Sequence, residues 1–230
     1  MRPVGLIVVL GILALAVALH REIGRTGGRQ IAWHSGSGGS KVRQRSAPPK
    51  GPVSAEWVEL KDCRLEDEPN NDGDSFLVNH GGASHIFRLY SVDCCEKRRM
   101  ERNRPRLADQ GAYFGGLDET AVVRLGRQAR DEVKALLGRH RFTVFTRWEP
   151  VFEDRRHYAH VLVHGGTDGR DIWLAEWLVE RGLARIHTKP AALPDGTREA
   201  AVVQNLRRIE AAARAAGRGG WNLRSASPGE

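Results

Sequence analysis

Cysteine is scarce in this chain of 230 residues: there are three, none in a C-x-x-C pair and none grouped with histidine at zinc spacing. That excludes a disulfide-built scaffold and a structural zinc site. Long apolar runs are equally few. Only residues 4–19 are continuously apolar, which excludes a multi-pass membrane protein. The C-terminal three quarters also lack an excess of charge of either sign. The whole chain carries a formal +8, but residues 1–55 hold 8 Lys/Arg against 1 Asp/Glu and the remainder hold 28 against 27. The basic surplus therefore belongs to the start of the chain and says little about the partners of a folded domain. What is present, 40% hydrophobic and 28% charged residues, suffices for one ordinary domain with tails.

Residues 1–23 have the layout of a secretory signal: Arg2, an apolar stretch over 4–19, and small residues at Ala14, Ala16 and Ala18. The stretch is short for a membrane span, which needs roughly 20 residues. Arg21, Arg25 and Arg29 follow it closely, where positive charge resists export. A signal peptide or a membrane anchor is expected, placing the protein outside the cytoplasm, with cleavage and retention both open. Residues 24–55 are rich in Gly, Ser, Arg and Pro and read as a basic linker. Residues 224–230 read as a disordered tail.

From 56 to 223 the hydrophobic period changes in an orderly way. Short alternating runs at 57–60, 75–79, 84–91, 142–148 and 158–163 predict strands, the second and third joined across Gly81-Gly82. Val122, Leu125, Ala129, Val133 and Leu136 recur at helical steps, and Gly138 is expected to stop that helix. A second helix is predicted over 172–181, with Asp171 as N-cap and Gly182 in the left-handed position after it. A third begins after Thr197, shows Val202, Leu206, Ile209, Ala213 and Ala216, and ends at Gly217. Five strands with three helices on one side or end predict an α+β domain built on a small barrel.

The chemistry-bearing residues form an ordered series. Asp72-Gly73-Asp74 comes first; as a calcium loop of EF-hand type it fails, because its twelfth position would be Asn79 where a glutamate is needed. Arg88 follows in an otherwise apolar strand, where an unpaired charge would be costly. Asp93 and Glu96 come at that strand's end, and Arg156 opens a later strand. Singly these residues are ambiguous: a Gly-Asp pair is usually a turn, and a lone Arg is usually a salt-bridge partner. As a set, Asp-Gly-Asp, then Arg-x-x-x-x-Asp-x-x-Glu, then a second Arg, the series resembles the staphylococcal nuclease (thermonuclease) family. The run LAEWLVERGLA from Leu174 to Ala184 looks like that family's helix and Gly-Leu-Ala turn, and Arg218-Gly-Gly-Trp221 resembles its closing Gly-x-Trp. The resemblance spans residues 56–223.

The resemblance implies a five-stranded OB-type β-barrel with three helices that hydrolyses phosphodiester bonds of DNA and/or RNA with one Ca2+ ion. It would cut the bond to the 5′ oxygen and leave 3′-phosphate ends. Asp74 and Asp93 would supply calcium carboxylates and Cys94 its backbone carbonyl. Glu96 would act on the attacking water as general base or by orienting it, and Arg88 and Arg156 would grip the phosphate. Hard oxygens suit calcium, and planar guanidiniums bond two phosphoryl oxygens at once. A monomer is expected.

The sequence departs from the family pattern in three places. Cys94-Cys95 stands where Thr-Pro is usual, and a disulfide from Cys63 to either residue competes with three buried free thiols. A basic insertion follows Glu96, running from Lys97 to about Glu119; Lys97, Arg98, Arg99, Arg102, Arg104 and Arg106 make its first half basic, and Lys97, Arg98 and Arg99 in particular are candidates for tracking a nucleic-acid backbone, against a solvated charged loop. After the Gly-Leu-Ala turn the family's tyrosines are absent, leaving His187 and Lys189 as candidate phosphate contacts. Two further readings compete with the nuclease: an OB-type nucleic-acid-binding module without catalysis, and a domain that is only the passenger of a membrane tether through residues 4–19 and the linker.

Overall fold

The computed structural model describes residues 56–152 and 155–223. The expected leader (1–23), linker (24–55) and tail (224–230) lie outside the described residues. Among the described residues, no helix is long and apolar enough to cross a membrane.

Six strands make the main sheet: β1 (Val58–Leu65), β2 (Ser75–His80), β3 (Ala83–Leu89), β5 (Phe142–Pro150), β6 (Arg156–Thr167) and β7 (Arg170–Trp173). Their order is β3-β2-β1-β5-β6-β7, and a further pairing of β3 with β6 closes the first five into a mixed barrel, with β7 appended outside the closure. The closing pair is parallel and the others are antiparallel. β1 can serve two neighbours because its register slips between Leu60 and Cys63, where Asp62 adopts a φ of 54°. Its first half then pairs with β5 and its end with β2, the bend a barrel needs at a corner. This is an α+β fold with a closed five-stranded barrel consistent with the OB type.

Among the described residues four α-helices accompany the barrel, one more than the sequence reading expects: α1 (Arg104–Tyr113), α2 (Glu119–Arg139), α3 (Leu174–Glu180) and α4 (Glu199–Ala215). α2 buries the predicted stripe Val122, Leu125, Ala129, Val133 and Leu136. Its first turn is capped by Asp118, whose carboxylate accepts from the Ala121 amide at 2.7 Å. It passes through Gly138 and ends one residue later. α4 buries Val202, Leu206, Ile209 and Ala213 and ends before Gly217, which takes a φ of 57°.

The second predicted helix starts too early. Ile172 and Trp173 belong to β7, paired with Val163 and Leu162 of β6, so the helix begins at Leu174. Asp171 is no cap. Its carboxylate accepts from the Gly165 amide at 3.0 Å and lies 2.9 Å from His164 Nδ1. Sheet pairing outweighs the local capping signal here. Two three-residue strands that periodicity does not reveal, β4 (Val92–Cys94) and β8 (Ala184–Ile186), form a separate antiparallel ladder beside the barrel. All three cysteines are free and buried, so the free-thiol alternative holds. Burial pushes the Cys63 thiol up to about 11 and the Cys95 thiol up to about 12.

Candidate active site

The parallel closure of the barrel sets the site. Arg88 of β3 stands opposite Tyr158 of β6, and Arg156 lies two residues before Tyr158. Period-two alternation therefore puts both arginines on one face of the pair. They line a cleft of about 790 Å³ together with Asp93, Arg106, Tyr158, Arg185, His187 and Lys189.

Asp93 is the hub. It is fully buried on β4, and each of its oxygens is shared. Oδ1 accepts from Arg88 Nη2 at 2.6 Å and Arg106 Nη2 at 2.5 Å, while Oδ2 accepts from Arg185 Nε at 2.8 Å and Gln110 Nε2 at 3.2 Å. Burial works against its charge, but Arg106, Arg88 and Arg185 together hold its carboxyl below the usual carboxylate range.

Asp74 has a different environment. It is buried at the start of the β2 hairpin, and its Oδ2 accepts from the Cys94 amide at 2.7 Å. Its nearest cation is Arg88 at 3.4 Å. Burial pushes its carboxyl up to about 6, with Arg88 only partly opposing. For Arg88 burial is likewise the largest influence, yet Asp74 and Asp93 outweigh it and raise the guanidinium above its usual range.

Glu96 lies outside the cleft lining and reaches it through an arginine. Its Oε1 pairs with Arg106 Nε at 3.0 Å, and its Oε2 accepts from Asn103 Nδ2 at 3.3 Å. Arg106 thus spans Asp93 and Glu96. Gln110, one turn further along α1 and fully buried, ties the same segment together. Its Nε2 donates to the Cys94 carbonyl at 3.1 Å as well as to Asp93, and its Oε1 accepts from the Glu96 amide at 3.0 Å.

Two glycines let the acidic segments approach α2. A Cβ on Gly73 would stand 2.7 Å from Cys94 Sγ and 2.9 Å from Ala129 Cβ. One on Gly126 would stand 2.5 Å from the Glu96 carbonyl oxygen and closer still to that of Cys95. Both segments are therefore seated on one helix face. At the other edge, the β4–β8 ladder is fastened at its ends. Ser91 (φ 69°) donates its amide to the Lys189 carbonyl at 2.9 Å, and Thr188 (φ 70°) donates its hydroxyl to the Val92 carbonyl at 3.3 Å. Left-handed backbone at such non-glycine residues persists where the surroundings hold it.

The predicted residues thus divide. Arg88, Asp93, Arg156, His187 and Lys189 come together in the cleft; Asp74, Glu96 and the Cys94 carbonyl join it through Arg88, Arg106 and Gln110. Burial and the neighbouring Arg185 hold the His187 imidazole below its usual range. Lys189 pairs with Glu149 at the rim. The start of the insertion does not reach the cleft lining. Lys97 is buried, and its ammonium donates to the carbonyls of Pro69 at 3.0 Å and Asn71 at 2.5 Å while pairing with Asp72 at 3.0 Å. It braces the loop before Asp74. Arg98 donates to Pro69 at 3.3 Å, and Arg99 pairs with Glu119 at 2.8 Å. The sequence reading takes Arg106 only as one of the insertion's basic residues and misses Gln110 and Arg185. The signal for Arg106 and Gln110 is the helical spacing of Arg106, Gln110 and Tyr113, which puts three polar residues on one face of α1.

Among the described residues, no three His, Cys, Asp or Glu side chains form a ready-made metal cluster, because arginines interleave the carboxylates. The donors nevertheless fit calcium in kind: two buried aspartates, a glutamate and a carbonyl are hard oxygens. Asp74 in particular is held less tightly than Asp93, its nearest cation being Arg88 at 3.4 Å. Asp93 fits on one condition, that a donor now on it gives way. No protein-family model matches the chain, and no curated protein matches it.

Proposed function

We propose that this domain is a calcium-dependent nuclease that hydrolyses phosphodiester bonds of DNA and/or RNA. The observation that carries the reading is the placement of Arg88 and Arg156 on one face of the closing strand pair, in a cleft where these two together with Arg106, Arg185 and Lys189 outnumber the facing carboxylates Asp93, Asp109 and Glu149. Such a cleft attracts a phosphate backbone. Arg88 is held by Asp93 and Asp74, which fixes its fork where it lines the cleft. Arg156 supplies the second guanidinium, so two planar donors meet the phosphoryl oxygens as charge builds on them. Glu96 takes a proton from the attacking water or orients it. Asp74, Asp93 and the Cys94 carbonyl would hold calcium, which would supply Lewis-acid polarisation of the phosphate. Export or tethering through residues 4–19 completes the proposal, since a non-specific nuclease is compatible with a cell only apart from its own nucleic acid.

The saturation of Asp93 by four donors favours a second reading, a nucleic-acid-binding module without catalysis. One experiment separates the two. The full chain is incubated with single-stranded DNA, duplex DNA and RNA in calcium and then in chelator, beside Glu96→Gln and Arg156→Ala. The nuclease reading expects chelator-sensitive cutting that falls by roughly 100- to 1,000-fold in each variant. Intact binding with no cutting in any condition supports the module instead.

A further inference from the structure

Asp93 holds more cation than one carboxylate needs, and its arginines are not equivalent. Arg88 and Arg185 are buried, each side chain only 9% exposed, whereas Arg106 is 43% exposed and projects from the first turn of α1 into the cleft. Arg88 bridges Asp93 and Asp74, while Arg106 bridges Asp93 and Glu96, with Nη2 2.5 Å from Asp93 Oδ1 and Nε 3.0 Å from Glu96 Oε1. The local charge closes on itself: Asp74, Asp93 and Glu96 are balanced by Arg88, Arg106 and Arg185. A dication entering a balanced site is repelled unless one positive group leaves, and the half-exposed Arg106 can leave at the least desolvation cost.

We propose that Arg106 is an internal cation that competes with a divalent metal for Asp93 and Glu96. Its departure frees the Asp93 Oδ1 edge for the metal and releases Glu96 from its guanidinium partner. The displaced guanidinium stays in the cleft beside Arg88, where a substrate phosphate replaces the carboxylates as its acceptor. Metal and phosphate binding are thereby coupled through one side chain: each removes what obstructs the other. The inference rests on the calcium reading of the site and adds to it a device that keeps the metal-free site closed.

The test is calcium titration of the full chain by calorimetry, with Arg106→Gln and Arg106→Lys, and with Arg170→Gln on β7 as a control for net charge. Arg106→Gln is expected to bind calcium at least tenfold more tightly than the natural chain. Arg106→Lys, whose single ammonium cannot bridge two carboxylates as the guanidinium does, should fall between them, and Arg170→Gln should stay within twofold. Thermal unfolding supplies a second readout. Without metal, Arg106→Gln melts lower than the natural chain, and saturating calcium closes the gap. Should Arg106→Gln fail to fold without metal, the Lys variant carries the comparison alone. Equal or weaker calcium affinity in the Arg106 variants, with the natural chain binding calcium and cutting DNA, overturns the competition and leaves the nuclease reading standing. No calcium binding by any chain overturns both. Tighter binding by Arg106→Gln in a protein that cuts nothing upholds the competition and removes the nuclease.

Discussion

Gly126 lies in the middle of α2, where the helix presses on the turn that carries Cys95 and Glu96, and replacing it with alanine tests whether that contact positions the site. A Cβ there meets the Glu96 carbonyl oxygen at 2.5 Å, so the turn must retreat by about 1 Å to restore ordinary contact. Overpacking of this kind costs about 1–3 kcal/mol. Alanine returns about 1 kcal/mol of helix propensity. The net loss is about 0–2 kcal/mol, or at most about 8 °C in melting temperature for a domain of this size. Cleavage should suffer more than stability, because a 1 Å misplacement of reacting groups can cost roughly 100-fold. Gly138 is the internal control. It sits in the same helix, a Cβ there meets nothing within 4 Å, and Gly138→Ala should stabilise by about 0.5–1 kcal/mol with cleavage unchanged. Thermal unfolding and a calcium-dependent DNA cleavage assay on both variants decide the matter. If Gly126→Ala stabilises as Gly138→Ala does and cuts normally, α2 does not hold the turn and the reasoning is refuted.

Two other perturbations follow from the geometry. His160 is buried among Trp57, Tyr90 and Trp173, and burial pushes its imidazole down to about 4 despite the hydrogen bond with the Ala192 carbonyl. Its stabilising contribution is fully present above the unfolded value near 6.5 and is lost as pH falls toward 4, an amount of about 3 kcal/mol. Asp74, raised to about 6, has the opposite sign: the folded state takes up its proton first, so stability is gained as pH falls from 6 toward the unfolded value. The natural chain should therefore show a shallow profile between pH 4 and 6.5 in urea unfolding, and His160→Phe should become more stable on acidification; identical slopes in the two proteins would count against this. Gln110→Leu, close in volume, removes the amide shared by Asp93, the Cys94 carbonyl and the Glu96 amide. Leaving those buried partners unmet should cost about 3 kcal/mol by denaturant titration, and a loss under about 0.5 kcal/mol, the scale of an ordinary surface substitution, would show that the amide organises nothing.

The barrel strands and the helices α2 and α4 are legible in the sequence because each buries one face against a continuous core, which writes a period of two or 3.6 into the chain. α1 is not, since its ten residues RPRLADQGAY bury only Leu107, Gln110 and Gly111 and face the site with polar groups. β4 and β8 are three residues each, too short for any period, and are defined by their mutual pairing. The early start assigned to α3 has the same origin, a capping signal at Asp171 overridden by pairing with β6. The site divides along the same line. Asp74, Arg88, Asp93 and Glu96 stand out because charged residues beside apolar strands are conspicuous in one dimension. Arg106 and Arg185 look like ordinary surface cations until the fold brings them to one carboxylate.

The bond between Asp93 and Arg185 joins residues 92 positions apart. A ribosome adding about 5–20 residues per second needs roughly 5–20 s to pass from one to the other. During that interval the emerging chain already holds Asp74, Arg88, Asp93 and Glu96, and for the last part of it Arg156, yet β4 has no ladder partner and Asp93 lacks Arg185. The cleft is therefore among the last features to be assembled during synthesis, and a chain terminated before β8 carries the conspicuous residues without the frame that aims them.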